Sequence, residues 1–156
     1  MSGKQIKQIA LGLGMVAVQV MLFRHLKILD MQPDLVLVFL LWYMSRADRT
    51  SAILMGALLG LTQDAMMDLW GLNMFSKTFI AFAGHNLLPG GSETRLLLNQ
   101  VALTVLIAAL AHNLVFLGLN WVVDIYSGEF IFWRHWLGSS VYTAALAGFI
   151  HLFRTR

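Results

Sequence analysis

LLLNQVALTVLIAALAHNLVFLGLNWVV, from Leu96 to Val123, contains no charged residue. As a helix, about 28 residues reach about 42 Å at 1.5 Å per residue, more than the roughly 30 Å of hydrocarbon in a bilayer. The run does not alternate apolar with polar residues, as a barrel strand would. In hydrocarbon only a helix pairs all of its backbone groups within one segment. The stretch therefore predicts a transmembrane helix that tilts or protrudes beyond the apolar layer.

The rest of the chain agrees. Of 156 residues, 58% are hydrophobic and only 12% charged, against roughly 25% charged in soluble domains, and mean hydropathy is +0.71. The runs Leu35 to Ser45 and Ser51 to Thr62 each carry too little charge to face water. Six helical segments are expected: Ile6 to Phe23, Pro33 to Ser45, Ser51 to Leu69, Asn73 to Leu88, Leu96 to Val123 and Phe130 to Phe153. The fold class is thus an all-α membrane protein with six transmembrane helices in a single domain covering residues 1–156. Pro33 is expected to open the second helix, since a first helical position needs no N–H, with Asp34 in the first turn. Lys4 and Lys7 ahead of an apolar run imitate a signal peptide, but no small-x-small cleavage site follows and five further apolar segments do, so a retained helix is expected.

Six spans place Lys4, Lys7, Arg46, Arg49, Arg95, Arg154 and Arg156 on one side and Arg24, Lys27 and Arg134 on the other, with Lys77 inside a span. By the positive-inside rule both termini are cytoplasmic. The sequence pI is about 9.6, but the basic residues sit between apolar segments and form no single face, which argues against nucleic-acid binding. With no cysteine, thiolate catalysis, disulfides and Cys-type metal sites are excluded.

Polar residues inside the spans are the candidates for function. In the third segment Ala52, Gly56, Gly60, Asp64 and Asp68 recur every four residues, a stripe that is small at one end and acidic at the other. Gly56 and Gly60 suit close helix packing. An ionisable group at depth faces the bundle interior and has a partner; for Asp64 the expected one is Lys77 on the next helix, with Gln63 adding donors and acceptors. In the fifth segment Asn99, Asn113 and Asn120 fall on multiples of seven, with Asp124 one turn later, and are expected to bond neighbouring helices or line a wet cavity. The histidines His25, His85, His112, His135 and His151 are scattered without metal-ligand spacing, Ser139 and Ser140 lack a GxSxG context, and PGGSETR, residues 89–95, is no phosphate-cradling loop. The tryptophans, Trp42, Trp70, Trp121, Trp133 and Trp136, fall near segment ends, as an interfacial belt requires. No constellation looks catalytic, and no metal or cofactor is expected.

Three short motifs carry a resemblance: Pro33, Asp34 and Leu35 opening the second helix; GALLGLTQD from Gly56 to Asp64; and Gly71, Leu72 and Asn73 before the fourth helix. In order and spacing they resemble the rod-shape-determining MreD family of the bacterial inner membrane, while the fifth and sixth segments match in character alone. The family often has a small or polar turn between the second and third motifs, where this chain has Met66, Met67, Asp68, Leu69 and Trp70. The resemblance implies a non-catalytic scaffold or regulator of peptidoglycan elongation that partners MreC and, through it, RodA and a class B penicillin-binding protein. It also implies a fold similar to the substrate-binding S-components of energy-coupling-factor transporters. A solute-binding subunit of such a transporter is the alternative, motivated by Gln63, Asp64, Lys77, Asn99 and Asn113 at depth. Pro33, Asp34, Gly56, Gly60, Gln63, Asp64, Asn73, Lys77, Asn99 and Asn113 are thus the candidate intramembrane polar or partner-binding positions.

Overall fold

The computed structural model describes residues 3–23, 31–88, 98–123 and 133–154. Among the described residues lie six α-helices, α1 (Gly3–Val18), α2 (Leu35–Met44), α3 (Arg49–Met67), α4 (Leu72–Gly84), α5 (Leu98–Val123) and α6 (Ser139–Arg154). A π-helical turn, Gln19–Phe23, extends α1, another, Arg134–Gly138, precedes α6, and a 3-10 turn, His85–Leu87, closes α4. Each helix falls on one of the six expected segments. The expected start at Phe130, the PGGSETR loop, Asp124, His25 and the basic residues Arg24, Lys27, Arg95 and Arg156 lie outside the described residues.

α2 is the centre of the bundle and packs against all five other helices. It is apolar on every side, and a helix of that kind must be surrounded. Leu35, Val36, Leu37, Phe39, Leu40, Leu41, Tyr43 and Met44 are buried, and all but Leu35 form one core with Val16, Met55, Leu59, Ile80 and Ala109 of the neighbouring helices. Ten residues reach only about 15 Å, which makes α2 the shortest of these helices.

α3 and α4 form the tightest pair, antiparallel, with Gly60 against Met74 and Gly56 against Lys77. A Cβ on Gly60 would meet the Met74 backbone, including its nitrogen at 2.6 Å, and the carbonyl oxygen of Asn73 at 2.7 Å. At Gly56 the nearest atom would be the Lys77 carbonyl oxygen at 3.0 Å. Backbone cannot swing away as a side-chain end can. Gly60→Ala should therefore cost about 1 to 3 kcal/mol as an overpacked contact, whereas Gly14→Ala, with nothing within 4 Å, should gain about 0.5 to 1 kcal/mol of helix propensity. Denaturant titration of the two variants in detergent tests the contrast, and equal midpoints would show that α3 and α4 do not meet in this register.

The acidic end of the α3 stripe divides. Asp64 is buried, but Asp68 is exposed and ends α3 in the left-handed region at φ 55°, a conformation that Asp tolerates better than most residues. Gly71, at φ 85°, opens α4. Met66 and Met67 still belong to α3, so the turn between α3 and α4 runs from Asp68 to Gly71. At the other end Asp48 caps α3, accepting from the Ser51 amide at 3.0 Å and the Ser51 hydroxyl at 2.7 Å. These bonds, the amide first, hold its carboxyl below the usual carboxylate range.

α5 lies against both α4 and α6, and α6 closes back on α2. Leu98–Val122 and Trp136–Phe153 are each long and apolar enough to cross a membrane. Outside, Ile6, Leu54, Phe82, Ile107 and Phe149 are exposed; inside, Asn73, Lys77, His112, Asn113, Ser140 and Thr143 are buried. Water-soluble chains place these residue types the other way round.

Candidate functional site

Residues 31–34 enter the core as non-helical backbone, and each polar group there needs a partner from a side chain. Gln19, the first residue of the π turn after α1, donates from Nε2 to the Pro33 carbonyl at 2.7 Å and accepts from the Leu35 amide at 2.8 Å. From the α6 side the Thr143 hydroxyl accepts the Asp34 amide at 2.9 Å and the Ser139 hydroxyl accepts the Gln32 amide at 3.3 Å. Each π turn abuts one of these contacts, since an extra residue in the turn re-aims the side chains beside it. Pro33 thus precedes the helix and does not open it. Asp34 is the N-cap of α2, two residues later than the proline rule predicts.

Asp34 divides its carboxylate. Oδ1 accepts the Leu37 amide at 2.8 Å, capping α2, and Oδ2 accepts from Lys77 Nζ at 2.8 Å. Lys77 is fully buried. Its ammonium reaches three acceptors: Asp34, Asn73 Oδ1 at 3.1 Å one turn back on α4, and His112 Nε2 at 3.5 Å on α5. Three N–H groups thus meet three acceptors.

The expected Asp64–Lys77 pair does not form. The Asp64 carboxylate accepts the Asn73 amide at 3.0 Å and Asn73 Nδ2 at 2.9 Å on Oδ1, and the Met74 amide at 2.8 Å on Oδ2. It caps α4 from a different helix. The N-cap residue, Gly71, has no side chain to do so, and a carboxylate at a helix N-terminus also meets the favourable end of the dipole. Asn73 stands between Asp64 and Lys77, donating to one and accepting from the other.

On the other flank His112 Nδ1 lies 3.3 Å from Asn113 Oδ1, Asn113 Nδ2 donates to the Ser140 hydroxyl at 2.9 Å, and that hydroxyl donates to the Trp136 carbonyl at 2.6 Å. The chain of donors assigns the His112 proton to Nδ1, because a proton on Nε2 would face the ammonium. Asp34, Lys77, Asn73, Asp64, His112, Asn113 and Ser140 form one connected network. With Gln19 and Thr143 it touches all six helices.

Two expected members stand apart. Asn99 is exposed, at the start of α5 where Leu98 and Gln100 are exposed too. Gln63 is buried beside the network but donates only to Met67 Sδ, at 3.8 Å, and its Oε1 has no hydrogen-bond partner among the described residues, like Oδ1 of buried Asn120. Asn113 joins as expected. Gln19, His112, Ser140 and Thr143 join although nothing in their spacing marks them. The arrangement is suited to holding helices at fixed positions, since its charged groups already face one another. Comparison with protein-family models, curated proteins and solved structures returned no match.

Proposed function

We propose that the chain is a multi-pass, non-catalytic protein of the bacterial inner membrane that acts as a scaffold or regulator in peptidoglycan elongation, in the manner of the MreD family. One observation carries this reading. Asp34, Asp64 and Asn73, which come from the three separate motifs behind the resemblance, meet in one network around Lys77. Their meeting in one network supports reading the three motifs as parts of one site.

The outward apolar faces and the buried polar interior support six spans, as bilayer solvent requires. Exposed Trp70, Trp121 and Trp133 follow α3, end α5 and precede α6, which in a six-span bundle is one membrane surface, as an aromatic belt would have it. Irregular backbone at depth is tolerated only where protein encloses it, as residues 31–34 are enclosed.

A fully bonded network favours one rigid arrangement, which suits a scaffold that presents fixed surfaces. A solute carrier needs several polar groups at depth with unmet hydrogen bonds, whereas Asp64, Lys77 and Asn113 are bonded within the network and Asn99 is exposed, which leaves Gln63 Oε1 as the one unmet acceptor among the residues that motivated that reading. In the scaffold reading MreC is the direct partner, and RodA and a class B penicillin-binding protein are reached through it. Depletion should turn rod-shaped cells round, and the tagged chain drawn from native membranes should bring MreC with it. Normal rods after clean deletion, with no MreC recovered, would overturn the proposal.

A further inference from the structure

At the end of the bundle where α1 begins and α2 finishes, Lys4, Lys7, Gln8, Leu11, Trp42 and Arg46 line a recess of about 380 Å³. The first four stand at i, i+3, i+4 and i+7, one face of α1, and the last two are one turn apart. The Arg46 guanidinium lies 4.6 Å from the centre of the Trp42 ring, a cation–π contact that fixes it on the recess wall. Three of the six residues are cationic and none is acidic. The positive-inside rule calls for basic residues at this end of the bundle, but not for their convergence on one recess.

The apolar part of the recess decides between anions. Leu11 belongs both to the lining and to the outward side of α1, where Leu11, Gly14 and Val18, at i, i+3 and i+7, are exposed. A free phosphate needs no such track, and an acidic protein segment would meet lipid-facing surface along it. We propose that the recess binds the phosphodiester headgroup of an anionic phospholipid, with Lys4, Lys7 and Arg46 around the phosphate and an acyl chain along Leu11, Gly14 and Val18. At about 30 Å³ per water the recess holds roughly a dozen waters, room enough for a phosphoglycerol group. Gln8 adds a neutral donor for its hydroxyls or ester oxygens. This inference rests on the membrane reading alone and is independent of the partner in cell elongation.

The test is native mass spectrometry of the full chain, delipidated in detergent and offered equimolar phosphatidylglycerol and phosphatidylcholine. Phosphatidylglycerol should be retained at least tenfold over phosphatidylcholine. The triple variant Lys4→Gln, Lys7→Gln, Arg46→Gln should lose this preference, because each basic group near an anionic headgroup strengthens binding about fivefold. Equal retention of the two lipids by the unaltered chain overturns the proposal whatever the variant does, and so does undiminished retention by a folded variant. Displacement of the lipid by millimolar inorganic phosphate would reassign the recess to free anions, and displacement by micromolar poly-glutamate to a protein segment; both overturn it. Release of the chain from membranes by carbonate, without detergent, would fail the membrane reading itself, which is a distinguishable result.

Discussion

Lys77→Met should lower the unfolding free energy of the detergent-solubilised chain by about 3 to 5 kcal/mol, the usual cost of leaving one member of a buried ion pair alone. Methionine is close to lysine in length and occupies the same channel between α2, α4 and α5, so the loss is electrostatic and not a cavity. It leaves the second carboxylate oxygen of Asp34 without its 2.8 Å partner and Asn73 Oδ1 without its 3.1 Å donor. The partner change to make with it is Asp34→Asn. Asparagine caps a helix about as well as aspartate, so the bond to the Leu37 amide survives while the charge goes. The double variant Asp34→Asn, Lys77→Met should regain most of the loss, because a buried pair replaced as a unit is often near neutral. Denaturant titrations of both single variants and the double variant make the cycle. A single Lys77→Met with unaltered stability, or a double variant as unstable as the two losses added, would show that the pair is not the element holding α2 to α4.

Most of the helical fold was legible in composition, because long apolar runs mark helices by length and apolarity, and two of them, Leu98–Val122 and Trp136–Phe153, are long and apolar enough to cross a membrane. The ends of α3 and α4 agree with the expected segments within a few residues, and Gly56 and Gly60 of the small-residue stripe face α4 as such a row should. The site was less legible, for a specific reason. Treated as a full span, the second segment would put Asp34 at the membrane surface, far from any lysine within a helix. In the folded chain α2 has only ten residues, and the carboxylate of its N-cap, partly buried, lies 2.8 Å from the ammonium of the fully buried Lys77, so Asp34 and Lys77 meet at one depth. Depth is set by how helices stack, and one-dimensional spacing does not carry it.

His112 shows the same limit. Its sequence neighbours hold no ligand pattern, yet it becomes the acceptor on α5 for a lysine 35 positions earlier. Gln19 was invisible because its role depends on the π turn that it opens, and such turns leave no mark in apolar periodicity. The asparagine stripe was legible in part. Asn113 and Asn120 are buried as the sevenfold spacing predicts, while Asn99 is exposed at the end of α5, which shows that a helical face is interior only where a neighbour covers it.

The second large effect is expected at Asp64, and it separates the two roles that an acid in this position can play. Asp64→Ala removes three bonds from the first turn of α4, leaving the Asn73 and Met74 amides, donors at 3.0 and 2.8 Å, without an acceptor. A buried donor left unmade costs about 1 to 3 kcal/mol, so the variant should lose about 2 to 5 kcal/mol. Asp64→Asn keeps a side-chain oxygen for one amide and gives up the charge at the helix N-terminus, so it should fall between. If Asp64 were the counter-ion of Lys77, combining Asp64→Ala with Lys77→Met would restore stability, as combining Asp34→Asn with Lys77→Met does. As a cap it should not: the two losses should add, apart from a small coupling through Asn73, which bonds to both side chains. Strong rescue in the Asp64 and Lys77 double variant would return the ion pair to the place the spacing suggested. Near-additive losses would identify Asp64 as the cap that lets α4 begin in the interior of the bundle with a glycine at its N-terminus.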